Sequence, residues 1–266
     1  MVARNLVVIP AHNEEETIYE VVTKALKYAD VSVTDDGSRD KTPLILAKIL
    51  KECEEGRHKH NLNVITHESA THIPKGIQDG FKFAVENDYD FVVTMDSGLS
   101  HDPDALPDFF SQDPSIDVVI GRRKSTKNVP FYRRTVSFFA SIVVNYALSD
   151  SYVGFKGYWI RDCTSGFRRY SRRVVGRMAS SKLNSKSFDF HMEAISICCR
   201  SRATLSEIPI TYLFSNSSFN RKVLIQGIKF GLYLMKTKFS GVDSAENFSL
   251  TPLNQSFNQN SHDRIH

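Results

Sequence analysis

Apolar residues follow two rhythms along this chain. Short unbroken runs, LVVIP after Asn5, VSV after Asp30 and FVV after Asp90, each end near acidic residues. Runs of that length read as strands buried on both faces. Between them, apolar residues recur every three or four positions, the helical period. The pattern predicts strands over Asn5–Pro10, Val31–Asp35, Leu62–Thr66, Phe91–Asp96 and Asp117–Gly121. It predicts helices over Glu14–Ala29, Lys41–Cys53, Lys75–Glu86 and Pro103–Phe110. Asn13 and Glu16 have the spacing of a capping box, and Asp40 precedes Thr42-Pro43 as a cap followed by a first-turn proline. Strand and helix in alternation argue for an α/β fold with a mostly parallel sheet.

Past Gly121 the rhythm changes to basic loops, short strands around Phe167–Tyr170 and Thr204–Ile210, and amphipathic helices. Leu224, Ile228, Leu232, Met235 and Phe239 recur at helical spacing, with Lys222, Lys229 and Lys236 every seven residues. That is a basic amphipathic helix. Phe138, Phe139, Ile142, Val143 and Tyr146 form a second apolar face, and Glu193 falls on a helix whose other face carries Ile195 and Ile197. The longest apolar stretch, Val136–Leu148, is broken by Ser137, Ser141 and Asn145. It falls short of the roughly 20 residues a membrane span needs. With a strand predicted almost at once after Met1, no signal peptide is expected. The polar segment 241–266 is expected to be disordered.

Charge divides the chain. Residues 1–120 hold 11 Lys+Arg against 22 Asp+Glu, and residues 121–266 hold 23 against 8, leaving a formal net charge of +4. An acidic half followed by a basic one points to anionic partners for the second half. No zinc-finger, helix-turn-helix or RNA-recognition signature accompanies the charge, so nucleic acid is not expected. A phosphorylated lipid or an anionic membrane surface fits better. Cys53, Cys163, Cys198 and Cys199 make no C-x-x-C pair and read as reduced thiols.

Three predicted strands deliver acids to one edge. LVVIP runs into His12-Asn13-Glu14, VSVT into Asp35-Asp36-Gly37-Ser38, and FVVT into Met95-Asp96-Ser97. Ligands of open α/β sheets bind beyond the carboxyl ends of the strands.

VVIPAHNEEETI, VTDDGSRDKT, TMDSGLSHDPDALPDFF and DCTSGFRRYSRRVV, with the later FDFHMEA, resemble in order and spacing the family 2 glycosyltransferases of GT-A fold. The likeness runs from about Asn5 to Phe239, and LSHDP with DCTSGFRRY resembles most the dolichol- or polyprenol-phosphate mannosyltransferases. The resemblance implies a GT-A nucleotide-diphospho-sugar transferase. Residues 1–121 would bind the nucleotide sugar, and 122–240 would form the basic acceptor half of the same domain.

It also implies roles for residues. Pro10, His12, Glu14, Asp35, Asp36 and Ser97 would line the donor pocket. Carboxylates suit ribose hydroxyls and base N–H groups, although a first-turn Glu14 also suits a helix dipole and the Asp35 turn an ordinary Asx turn. Asp96 would bind Mg²⁺ or Mn²⁺ with Ser100. Relatives have a second acid where this chain has Gly98, a change expected to weaken metal binding, with Asp102 near enough in sequence to substitute. Mg²⁺ commonly takes one or two carboxylates and completes its shell with phosphates and water. Arg122, Arg134 and Arg168 would clamp phosphates bidentately, whereas Arg123, Lys124 and Lys127 read as solvated charge. Asp162 would serve as base for a hydroxyl acceptor. A phosphate monoester needs none, being largely dianionic at neutral pH.

The function implied is inverting transfer of a sugar, mannose as first choice, from GDP-mannose or a UDP-sugar to a polyprenyl or dolichyl phosphate. The protein would act as a peripheral enzyme on the cytoplasmic face of a membrane. The alternatives are a family 2 glycosyltransferase acting on a polysaccharide or glycoprotein glycan, and an inactive nucleotide-sugar-binding paralogue.

Overall fold

The computed structural model describes residues 3–127, 131–150, 153, 157–213 and 221–239, with the side chains of 125–127, 131–134 and 221–224 outside the description. The expected disorder of 241–266, and the side chains of Arg134, Lys127 and Lys222, therefore lie outside the described residues.

In chain order the elements are β1 (Asn5–Ala11), α1 (Ile18–Ala25), β2 (Asp30–Asp35), α2 (Thr42–Glu54), β3 (Leu62–Thr66), α3 (Ile73–Glu86) and β4 (Phe91–Thr94). A 3₁₀ turn, Pro103–Ala105, leads into α4 (Leu106–Phe110) and then β5 (Val118–Lys127) and α5 (Phe131–Ala147). The remainder are β6 (Arg168–Ser171), α6 (Arg172–Ser180), α7 (Phe190–Arg200), β7 (Leu205–Leu213) and α8 (Arg221–Phe239).

Seven strands form one sheet in the order β3-β2-β1-β4-β6-β5-β7. β6 runs antiparallel to both its neighbours, and the other described pairings are parallel. The acidic and basic halves thus share a single sheet. Alternation along β1 sends Leu6 and Val8 into the apolar layer under α3 and α7, and Val7 and Ile9 into the layer under α1 and α2. α3 lies so close to the sheet that a Cβ at Gly80 would collide with the Val8 side chain, which only glycine avoids.

Strand positions match the apolar runs within one or two residues except at β5, which continues six residues past Gly121, and β7, which continues three past Ile210, because the two pair as far as Lys127 and Leu213. α1 starts at Ile18 rather than Glu14. The Asn13–Glu16 capping box does not form. Asn13 takes a left-handed conformation (φ 55°), its Oδ1 accepts Arg39 N–H at 2.8 Å, and its own N–H donates to Ser38 Oγ at 2.9 Å. The N-cap of α2 is Lys41, which makes no side-chain cap bond; Asp40, one residue earlier, accepts the N–H of Thr42, the first residue of the helix, at 2.9 Å. The RRVVGRMAS stretch forms α6, a helix the apolar pattern had not marked. α7 is buried on every side, so Glu193 faces no solvent.

Candidate active site

The ends of β1 and β2 lie in register, Ala11 beside Asp35, which brings Pro10, His12, Glu14, Asp35 and Asp36 to one edge. The loops that follow are laced together by bonds between side chains and backbone. His12 Nδ1 donates to the Asp36 carbonyl at 2.8 Å, Glu15 N–H to Asp40 Oδ2 at 3.0 Å, and Lys41 N–H to Glu15 Oε2 at 2.9 Å. Gly37 (φ 71°) turns under the next loop, where a Cβ would come 2.9 Å from the Ser69 backbone. The Glu14 carboxylate accepts the Thr17 hydroxyl at 3.0 Å, and the same hydroxyl reaches the Ser97 carbonyl at 3.0 Å. This ties the β1 loop to the β4 loop. Ser97 itself is buried.

The two aspartates differ. Asp35 Oδ1 accepts one backbone N–H, from Ser38 at 3.1 Å. Asp36 accepts from Thr71 N and Oγ1 (2.7 Å each), His67 Nδ1 (2.8 Å) and His72 N (2.8 Å). Burial pushes the Asp36 carboxyl up, but the His67, Thr71 and His72 hydrogen bonds outweigh it and hold the group below the usual carboxylate range. Asp36 therefore organises the 67–72 loop against the crevice.

Beside this edge lies a cavity of about 860 Å³ that gathers Asp96, Arg122 and Asp162 with three residues given no such role by the motifs, His101, Arg123 and His191. Asp96 follows β4 with its side chain 38% exposed and 3.6 Å from His101 Nδ1. Asp96 N–H donates to that same nitrogen at 3.2 Å. The His101 ring stacks on Phe167 (5.0 Å) and meets the Tyr212 edge (5.8 Å). Burial lowers its pKa despite the nearby Asp96, in keeping with an Nδ1 that accepts the Asp96 N–H. His191, on α7, packs its ring against Gly166, where a Cβ would meet it at 2.8 Å. Burial, then the Arg168 charge, lower its pKa well below the ordinary value.

Arg123 corrects the sequence reading. It is not solvated charge. Nε and an Nη grip Asp162 Oδ2 and Oδ1 at 2.8 and 2.7 Å, and its backbone N–H adds a third bond to Asp162 at 3.2 Å. Burial opposes both charges, yet Asp162 stays below and Arg123 above its ordinary pKa because each faces the other. Glu207, on β7, fixes the segment by accepting the N–H groups of Arg161 and Asp162, each at 3.0 Å. Arg122, Arg123 and Lys124 all line the cavity, although strand alternation would turn the middle one away. The register shift against β7 between Arg123 and Ser125 relaxes that alternation.

Arg168 is a second correction. It is fully buried, and its guanidinium donates to the carbonyls of His191 (2.7 Å) and Cys163 (2.8 Å), so it faces protein rather than ligand. Its neighbour Arg169, on the other face of β6, holds the carbonyls of Phe109, Gln112, Asp113 and Ile116. Glu193 accepts Asn184 and Ser185 N–H at 2.9 Å and shapes the entry to α7. Ser100 is buried, its carbonyl accepts Leu213 N–H at 3.2 Å, and it is not among the described residues lining the cavity. Asp102 caps the 3₁₀ turn through Asp104 N–H. Among the described residues, no group of three or more His, Cys, Asp or Glu has the arrangement of a metal site.

The far wall of the cavity is apolar. α5 supplies Phe138, Phe139 and Val143, α7 supplies Met192, and α8 supplies Ile228, Leu232 and Met235. Phe138 (62%) and Leu232 (65%) also stand open to solvent. No described helix is long and apolar enough to cross a membrane.

Residues 6–178 match the family model described as glycosyl transferase family 2. The UDP-N-acetylglucosamine–dolichyl-phosphate N-acetylglucosaminyltransferase of Methanococcus voltae is 28% identical over 254 residues, spanning 88% of this chain and 96% of that protein. The polyprenol monophosphomannose synthase of Mycolicibacterium smegmatis is 28% identical over 217 residues, spanning 79% and 77%. Among solved structures, glucosyl-3-phosphoglycerate synthase from Mycobacterium tuberculosis in complex with Mn²⁺ and UDP-glucose superposes with a TM-score of 0.64 at 14% identity. That match covers 91% of this chain and 81% of that one, and at such identity it speaks to fold.

Proposed function

Because the chain belongs to glycosyl transferase family 2, we propose that it transfers a sugar, mannose as first choice, from GDP-mannose or a UDP-sugar to a polyprenyl or dolichyl phosphate. One observation carries the acceptor reading. The cavity that holds Asp96 is cationic at one end, with Arg122, Lys124 and Arg161, and apolar along α5 and α8. An anionic head on a hydrocarbon chain matches both ends, and the relatives named for lipid phosphate acceptors support it.

The donor would bind at the β1, β2 and β4 ends. Asp35, at the end of β2, would offer its second carboxylate oxygen to base or ribose, and the laced loops hold the pocket without reorganisation. Asp96 fits a divalent ion, Mg²⁺ or Mn²⁺: it is partly exposed and faces the cavity. With Gly98 in place of a second acid, substrate phosphates would complete the shell. A bound ion supplies charge neutralisation for the departing diphosphate.

Positioning does the rest. Arg122 and Lys124 would hold the acceptor phosphate in line, an arrangement that supplies catalysis through proximity and electrostatic stabilisation. No general base is needed, since the phosphate is already an anion at neutral pH. The glycan-acceptor alternative does need one, and Asp162 is engaged by Arg123. That observation disfavours it.

The exposed Phe138, Phe139, Ile228 and Leu232 lie near Lys229 and Lys236. They would seat the protein peripherally on the anionic cytoplasmic face of a membrane. The deciding experiment offers a short polyprenyl phosphate and the corresponding free alcohol with each nucleotide sugar and Mn²⁺. Product from the phosphate alone is expected. Equal use of the alcohol, or activity only on a soluble glycan, overturns the reading. Nucleotide binding without any transfer would leave the inactive paralogue.

A further inference from the structure

α8 carries two glycines one turn apart, Gly227 and Gly231, and both line the cavity. Residues four apart share a helix face, so the pair bares a strip of backbone toward the cavity. Glycine weakens a helix interior relative to alanine, and the strip therefore has a reason. At Gly231 close packing supplies one: a Cβ would come 3.3 Å from Val143 Cγ1 of α5. At Gly227 packing does not. The nearest atom to a Cβ there is Met192 Cε at 3.8 Å, an ordinary contact that alanine would satisfy. Gly227 preserves open space rather than a close approach.

The location of that space matters. Met192 directly follows His191, whose ring packs on Gly166, and a Cβ at Gly166 would also lie 3.4 Å from Asp96 Oδ1. Gly227 and Met192 line the same cavity as His191, Gly166 and Asp96, so the room above Gly227 belongs to the space that holds the charged groups. The cavity's apolar lining comes from α5, α7 and α8, and Arg122, Lys124 and Arg161 line it together with Asp96 and Asp162. A ligand that fills both must join an anion directly to hydrocarbon.

The geometry points to Gly227 as the residue that admits the hydrocarbon chain of a prenyl phosphate, seating isoprene units beyond the first. This rests on the acceptor reading above and adds to it a subsite and a specificity determinant. A leucine at 227 would project into the space the chain requires and leave the cationic end untouched.

The test measures KM for farnesyl phosphate and dimethylallyl phosphate, and the Kd of the donor nucleotide with Mn²⁺ by calorimetry. Gly227→Leu is expected to raise KM for farnesyl phosphate about tenfold or more, the scale of excluding a few buried methylenes. Gly227→Ala should raise it less. Dimethylallyl phosphate, with less chain to exclude, should suffer less in both variants, and nucleotide Kd should hold. Equal losses for the two acceptors, or an unchanged KM for farnesyl phosphate, overturn the subsite while leaving the acceptor reading intact. Failure of the wild-type protein to use any prenyl phosphate overturns both. A measurement on the wild-type protein guards against a misfolded leucine variant: farnesyl phosphate with a diazirine on its terminal isoprene unit should crosslink near Met192 or Gly227. Labelling confined to other segments overturns the subsite.

Discussion

The two ends of this sheet both collect charge, and they treat it in opposite ways. At β1 and β2 the acids are met by the protein's own loops. Asp36 takes four hydrogen bonds from residues 67–72, and Asp40 and Glu15 are exchanged between neighbouring loops. Around β5 and β6 the charges divide. Arg168 and Arg169 are buried against carbonyls and Arg123 against Asp162, while Arg122, Lys124 and Arg161 remain on the cavity wall with Asp96. A charged residue in a motif acts on a ligand only where the fold has not already engaged it.

The sharpest break of that comparison is Asp96→Ala. Its side chain is partly exposed, so the unfolding midpoint should hold while turnover falls about a thousandfold, the scale of a lost metal contribution. A Mn²⁺ titration and a denaturation curve on the same sample separate the two.

Next comes an opposed pair. Arg168→Met strands the carbonyls of His191 and Cys163 in the core and should cost about 3 kcal/mol of stability in chemical denaturation. Arg122→Met should leave stability unchanged and raise acceptor KM about tenfold. If the two variants exchanged phenotypes, the division of the arginines would be wrong.

Asp36→Asn should destabilise by about 2 kcal/mol, because its carboxylate anchors a loop, and should weaken nucleotide binding as that loop loosens. The folded group has a depressed pKa. Its stabilisation is therefore complete above the ordinary carboxylate range near pH 4 and disappears as pH falls through the lower folded value. Wild type and variant should differ at pH 7 and converge on acidification. A constant gap across the titration would show the loop is held otherwise.

Gly98→Asp should tighten Mn²⁺ binding about tenfold, since it adds one hard anionic ligand beside Asp96. The smallest expected effect is at the surface. Leu232→Glu should weaken association with anionic vesicles about fivefold, and added salt should weaken it in the wild type as well. Vesicle flotation reads both.

Much of the fold was legible before the structure. Runs such as LVVIP and FVVT can be satisfied only as buried strands, and the helical period between them sets the order of the layers. The start of α1 was not legible, because Asn13 is held by Ser38 and Arg39 rather than by Glu16. Asp96, Arg122 and Asp162, named from strand ends and motifs, line one cavity. Arg168 was not correctly read, since the carbonyls it serves come from segments far along the chain. The one available signal for His191 was its place in FDFHMEA, and for Arg123 it was adjacency to Arg122 at a strand end.

The sequence by itself determined most of the strands and helices, the family, and the acids at the strand ends. These depend on local periodicity and on motif spacing, which are written in neighbouring residues. Only the tertiary structure decided which charged groups remain free. Asp162 meets Arg123 from 39 positions away, Asp36 meets His72 from 36, and Arg168 meets the His191 carbonyl from 23. Burial makes each of those bonds obligatory, and burial belongs to the packed whole.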